Sequence, residues 1–149
     1  MAGDAAIEIA EAVKDALNAA EFCCVFTAER VYDLSAELED DSVTHVAVAV
    51  RSEVGEMVSR GDTSEDVKID VVVRRKCDTS VLANCDTYMG LLKQFKDAFI
   101  GERLSTETFG DAVCDGWERS PAYFQNHIKQ FRQFTGVLTL NFTIALEMA

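Results

Sequence analysis

The 149 residues are 48% hydrophobic and 27% charged, with one Pro, which is the balance of a folded protein and excludes a largely disordered chain. A chain of this length is expected to form one domain and to bury a core without disulfide or metal support. The net charge of −12 opposes broad contact with nucleic-acid phosphates or an anionic membrane surface. We therefore expect neither a sequence-reading DNA-binding module nor a membrane protein.

The amino-terminal segment MAGDAAIEIAEAV carries acidic residues where a secretory signal would place positive charge. No apolar run reaches the length that crosses a bilayer, so we expect a protein made inside the cell. From Asp4 to about Ala20, apolar residues recur at three- and four-residue spacing. This pattern predicts an amphipathic helix with Asp4 as its N-cap.

The next segments are rich in β-favouring residues. EFCCVFTAERVYDL predicts a first strand from about Phe22 to Tyr32, and VTHVAVAVR predicts a second strand by its period of two. One face of the second strand is apolar, and the small opposite face would let another element or another subunit lie close. The small face consists of His45, Ala47, Ala49 and Arg51. Between the two strands, Glu37, Glu39, Asp40 and Asp41 could hold a metal, but a solvated loop is the favoured interpretation.

The segment SEVGEMVSRGDTSED is rich in turn residues, and VKIDVVVRRKC then predicts a third strand. Together with the second strand it predicts an antiparallel hairpin whose loop, around Gly61 and Asp62, protrudes. DTSVLANCDTYMGLLKQFKDAFIGERL predicts a second helix, with Asp78, Thr79 or Ser80 as its cap.

The last third of the chain is more varied. Residues 101–119 contain three glycines and no sustained period, which predicts an irregular connection. YFQNHIKQFRQF is compatible with a helix or a strand, and we favour a strand or extended arm. FTGVLTLNFTIAL alternates almost perfectly and predicts a final strand. The pattern as a whole predicts an α+β fold, with residues 1–149 as a single domain whose mainly antiparallel sheet of four to five strands is covered by two helices.

The sequence contains no phosphate-binding glycine loop and no Gly-x-Ser-x-Gly elbow. Its five cysteines include no Cys-x-x-Cys pair, which indicates reduced, packed thiols instead of a disulfide framework or a zinc site. Cys23 and Cys24 are adjacent, so on a strand their sulfurs would point to opposite faces. A thiol-imidazole pair of Cys114 with His127 is the least favoured alternative. We expect no catalytic residue, no cofactor and no metal.

One set of segments carries a family resemblance: an N-terminal helix, then FTAERVYDL, THVAVAV, VKIDVVVRRK, a helix, and FTGVLTLNFTIAL at the carboxyl end. In this arrangement the chain resembles the tail terminator (tail completion) proteins of long-tailed bacteriophages. The resemblance implies a structural protein of the virion neck, assembled in the host cytoplasm. Such a protein forms a homo-oligomeric ring, a hexamer in this family, that caps the tail tube, ends tube polymerisation and joins the head.

The resemblance also implies its partners: copies of itself, the tail tube protein and a head-tail connector protein, with DNA passing through the lumen without specific binding. We expect Arg51, Arg74 and Arg75 to form ion pairs between subunits, although the basic run RRK could instead bind phosphate. The SRGDTSED loop, with Arg60 and Asp62, is expected to contact the tube. The alternatives are another neck component, namely a head-tail adaptor or a tail-tube-like protein, and a small thiol-dependent enzyme.

Overall fold

The computed structural model describes residues 4–33 and 43–147, which form three helices and six strands. In chain order these are α1 (Ala5–Ala19), β1 (Phe26–Arg30), β2 (Thr44–Ser59), β3 (Asp62–Lys76), α2 (Leu82–Phe99), β4 (Arg103–Thr106), β5 (Gly110–Glu118), α3 (Gln125–Phe131) and β6 (Gln133–Glu147). The acidic connector containing Glu37, Glu39, Asp40 and Asp41 lies outside the described residues.

All six strands belong to one curled sheet, a half-barrel, in the order β1-β2-β3-β6-β5-β4. β1 runs parallel to β2, and every other neighbouring pair is antiparallel. The expected mainly antiparallel sheet of four to five strands under two helices is therefore wrong. The sheet is mixed because β1 runs parallel to β2. The numbers of strands and helices differ from the prediction because two segments without a clear period fold into regular elements.

The first of these segments is 101–119, which forms the β4–β5 hairpin instead of an irregular connection. Gly110 has a φ of +83°, a conformation that side chains disfavour, where the hairpin turn enters β5. Gly116 follows a register shift between Cys114 and itself, opposite Asn141 of β6. The glycines thus serve a turn and a bulge, and they interrupt the alternation by which a strand is recognised.

The second segment is YFQNHIKQFRQF, for which we favoured a strand and which contains α3. α3 ends at Arg132, which adopts the left-handed conformation with a φ of 49°. Phe124, just before the helix, packs against Ala47, Val72 and Val137 on the second face of the sheet. The small face of β2 is therefore covered in part by an element of the same chain.

The other face of the sheet carries the main core, under α1 and α2. Ile9 and Val13 of α1 and Leu92 and Phe95 of α2 are fully buried there. The predicted N-cap of α1 is confirmed, because Asp4 Oδ1 accepts hydrogen bonds from the backbone N–H groups of Ala6 at 2.9 Å and Ile7 at 3.4 Å. The predicted caps of α2 are wrong, since its N-cap is Val81, which makes no side-chain cap hydrogen bond.

The final strand lies in the middle of the sheet, between β3 and β5. Its core-facing side chains are buried, as the alternation predicts: Leu138, Leu140, Phe142 and Ile144. β6 pairs with β3 along the whole length of both strands, from Asp62 opposite Glu147 to Lys76 opposite Gln133. The closing segment of the chain is therefore a central structural element.

Candidate interaction surface

The β2–β3 hairpin extends well beyond β1, the strand that flanks it on one side. β1 ends at Arg30, opposite Val48, whereas β2 continues to Ser59. The hairpin closes at Arg60 and Gly61, where Gly61 has a φ of +94° and Ser59 Oγ donates to Asp62 Oδ2 at 2.8 Å. The end of β6 pairs with the returning strand. We call residues 51–67, together with residues 143–147 of β6, the arm.

The arm exposes apolar side chains. Val54 is 65% exposed, Met57 67% and Val58 58%. Beyond Val48, no strand among the described residues pairs with the outer edge of β2, which leaves a row of backbone groups there. By their pairing with Asp66 and Thr63, Val54 and Met57 lie on opposite faces of the arm, so the arm exposes apolar side chains on both faces.

The arm is also acidic. It carries five carboxylates within residues 51–67, at Glu53, Glu56, Asp62, Glu65 and Asp66. Burial raises the pKa of Glu53, and the negative charges of Glu65 and Asp4 raise it further. The base of the arm therefore lies near the N-terminus of α1. The carboxylates of Glu53, Glu65 and Asp4 repel one another there.

The structure places the predicted interface residues in three separate regions. Arg60 and Asp62 lie at the tip of the arm. Arg51 and Arg74 line one cavity on the second face of the sheet. Arg75 follows Arg74 on β3 and therefore points to the opposite face, where its Nη1 donates to Thr44 Oγ1 at 3.3 Å.

The cavity that contains Arg51 and Arg74 has a volume of about 240 Å³. Arg51 Nη1 lies 3.5 Å from Asp70 Oδ2, and Thr139 Oγ1 donates to the other oxygen of Asp70 at 2.6 Å. The Asp70 carboxylate is therefore partnered within its own chain. Burial lowers the pKa of Arg74, which also lines this cavity.

His127 closes the same cavity from α3. Its Nδ1 lies 2.7 Å from Thr135 Oγ1, which also accepts a hydrogen bond from Gln133 Nε2 at 2.9 Å. Since Gln133 already occupies an acceptor site of the hydroxyl, the Thr135 proton is available to His127 Nδ1. Burial lowers the pKa of His127, and the positive charge of Arg74 lowers it further. The neutral imidazole thus fits this position.

No family model matches this chain, and no curated protein matches it.

The alternative Cys114–His127 pair is not assembled. Cys114 pairs with Phe142 and faces the main core, where it is fully buried and its thiol lies 3.7 Å from the carbonyl oxygen of Gly116. His127 contacts Thr135, which faces the other side of the sheet. Burial raises the pKa of the Cys114 thiol to about 11. The thiol is therefore neither deprotonated at neutral pH nor next to an imidazole base.

Within residues 4–33 and 43–147, no group of three or more His, Cys, Asp or Glu side chains is arranged to hold a metal ion. In the same part of the chain, no helix has the length and apolar character needed to span a membrane.

Sequence reasoning located the tip of the arm but missed its apolar side chains. The segment SEVGEMVSRGDTSED, predicted to be a turn-rich stretch, does not form a loop over its first half. Val54, Met57 and Val58 are instead part of β2, which continues through register shifts at Val50–Ser52 and at Met57–Ser59. These two shifts disturb the period of two by which a strand is recognised. The sequence feature that could have indicated a long hairpin is the two-residue turn Arg60–Gly61, which lies between Ser59 and Asp62.

Proposed function

We propose that this chain is a structural protein of a bacteriophage neck, which caps the tail tube as a homo-oligomeric ring, a hexamer in the family that it resembles. In this role it ends tube polymerisation and provides the surface that joins the head. The observation that carries the proposal is the arm, a projecting sheet extension with exposed apolar side chains and an uncovered strand edge.

The exposed apolar side chains supply a driving force for assembly. Burying a Val or Met side chain completely contributes roughly 1.5–3 kcal/mol. Val54 and Met57 lie on opposite faces of the arm by their pairing with Asp66 and Thr63, so a partner that contacts both faces would cover them. Such a contact supports a protein that acts by docking.

The uncovered edge of β2 can fix how one copy is oriented against the next. An exposed edge can accept a strand from another chain, with backbone hydrogen bonds providing affinity. The arm projects from one end of the sheet, so a contact between it and a different surface of the next copy is heterologous. Heterologous contacts that close on themselves produce rings.

The charge of the chain fits a passage for DNA. Six copies at −12 each carry −72. A strongly negative collar repels the phosphate backbone, so DNA would pass through the lumen without being held. The proposed partners are other copies of this chain, the tail tube protein and a head-tail connector protein, and the proposed location is the virion neck after assembly in the host cytoplasm.

Cryo-electron microscopy of tail tubes mixed with the purified chain tests this proposal. The expected result is a single ring of this chain at one end of each tube, with the arm in an interface. A chain that repeats along the tube would instead be a tail-tube-like protein. A chain that binds only the portal side would be a head-tail adaptor, and either result would contradict the capping role.

A further inference from the structure

Cys23 and Cys24 point to the same side of the chain, with their sulfur atoms 3.5 Å apart. The expectation that they point to opposite faces is wrong, because residues 23 and 24 form a bend before β1 begins at Phe26. Outside a strand, neighbouring side chains need not alternate. The bend thus creates a vicinal dithiol.

The dithiol lies between β1 and α2, and one of its two sulfurs is open to solvent. Cys23 is exposed, and Cys24 is half-buried and packs against the main core. The backbone N–H of Cys23 donates to Gln94 Oε1 at 2.9 Å, and its sulfur lies 4.0 Å from the carbonyl oxygen of Thr87. These contacts with α2 hold the bend in place.

A disulfide is not the natural product of this pair. Adjacent Cα atoms are about 3.8 Å apart across a trans peptide, whereas disulfides usually join Cα atoms about 4.4–6.8 Å apart. A Cys23–Cys24 disulfide would therefore be strained and easily reduced. Burial, together with the neighbouring Cys23, also raises the pKa of the Cys24 thiol to about 11, so this thiol stays protonated at neutral pH.

We propose that Cys23 and Cys24 form a chelating site for trivalent arsenicals, in which a single arsenic atom bridges the two sulfurs. Two As–S bonds form, the As=O bond of an organoarsenic(III) oxide breaks, and the two thiol protons leave with the oxygen as one water molecule. No group is oxidised or reduced. The reaction starts from protonated thiols and needs no third ligand from the protein.

The remaining cysteines are less suited to this chemistry. Cys114 is fully buried. Cys77 and Cys85 are neighbours, but both are half-buried against the core, whereas the Cys23–Cys24 pair has one exposed member. Cys77 follows the last residue of β3, and Cys85 lies in the first turn of α2. Because the two thiols are neighbours, this pair is the matched control.

Phenylarsine oxide added to the full chain provides the test, with a phosphine as reductant because a dithiol reductant would compete for arsenic. The readouts are the intact mass and the number of thiols that react with a disulfide reagent. We expect one phenylarsenic group per chain and the loss of two reactive thiols. Replacement of either bridging sulfur, by Cys23→Ser or Cys24→Ser, should weaken binding by roughly 100-fold or more, because the second bond loses its high effective concentration.

The double variant Cys77→Ser/Cys85→Ser should bind like the unmodified chain. Circular dichroism and thermal unfolding confirm that each variant is folded. Tight binding that survives Cys23→Ser, or is lost in the Cys77→Ser/Cys85→Ser variant, would overturn the assignment. A folded unmodified chain that takes up no arsenical would overturn it as well.

Discussion

The side chain of Asn18, near the end of α1, pairs with the backbone of Ala28 in the middle of β1. Its Nδ2 donates to the carbonyl oxygen of Ala28 at 3.1 Å, and the backbone N–H of Ala28 donates to Asn18 Oδ1 at 2.8 Å. β1 is an edge strand, and β2 occupies its other side. One carboxamide thus replaces a strand at the outer edge of β1 and prevents other chains from pairing at that point.

Replacing Asn18 with Ala should lower the free energy of unfolding by about 1–3 kcal/mol, since two hydrogen bonds to the edge backbone are lost. Urea denaturation followed by circular dichroism measures the change. Asn126→Ala on α3, where the side chain is exposed, is the matched control and should be close to neutral. Equal stability of the two variants would show that the Asn18 pair contributes nothing.

Gly136 of β6 lies close to the side chain of Leu92 of α2. A Cβ at this position would lie 2.5 Å from Leu92 Cδ1 and 2.9 Å from Phe134 Cε1, and both of these side chains are buried. Gly136→Ala should therefore destabilise the fold by about 1–3 kcal/mol through overpacking.

The control is Gly90→Ala on α2, where a Cβ meets no atom within 4 Å. The free energy of unfolding of this variant should rise by roughly 0.5–1 kcal/mol, because Ala favours the helical conformation more than Gly does. The midpoint temperature of thermal unfolding should thus fall for Gly136→Ala and rise for Gly90→Ala. A shift in the same direction would contradict the described packing of α2 on β6.

The sequence was informative where periodicity was regular. The strands β3 and β6 and the capped helix α1 were predicted because their apolar residues repeat at the period of a half-buried strand or an amphipathic helix. The parallel pairing of β1 with β2 could not be predicted, because it depends on which edge of the sheet the chain returns to. No local sequence pattern indicates which edge of the sheet β1 joins.

In the candidate site, too, some residues could be located from the sequence and others could not. Arg60 and Asp62 were placed correctly at a protruding tip, because Gly61 marks a turn. The apolar residues of the arm were missed, since register shifts break their alternation. Arg51 and Arg74 share a cavity only because of the pairing of β2 with β3 and the folding of α3 over it, which are both tertiary facts.

The pH dependence of stability should change when Glu53 is replaced. The folded-state pKa of Glu53 is raised, by burial and by the charges of Glu65 and Asp4, so its contribution is favourable below the ordinary glutamate pKa of about 4.3 and is lost as pH rises through the folded value. Glu53→Gln should therefore stabilise the chain at pH 7, by less than about 1 kcal/mol because solvent screens the site.

This advantage should vanish at about pH 3, where the carboxyl group is already neutral. Urea denaturation at both pH values measures it. Glu56→Gln removes the same charge from another exposed position of the arm, away from Asp4, and is the control. A benefit of Glu53→Gln that persists unchanged at low pH would contradict the electrostatic origin.

Cys114 should resist alkylation in the folded state. Its side chain is fully buried, and burial raises the pKa of its thiol to about 11. With iodoacetamide at pH 7, peptide mass spectrometry should find the exposed Cys23 modified first and Cys114 last. Selective early labelling of Cys114 would instead support a thiol-dependent enzyme.

The central claim is that the chain works by docking through its arm. It is tested most directly by adding the purified chain to polymerising tail tube protein and measuring tube lengths by electron microscopy. The unmodified chain should stop growth at substoichiometric amounts, and Met57→Ser/Val58→Ser should lose this effect while remaining folded. The control Val25→Ser removes a side chain that is 95% exposed outside the arm and should stop growth normally. Tubes that grow equally long with and without the unmodified chain would contradict the account.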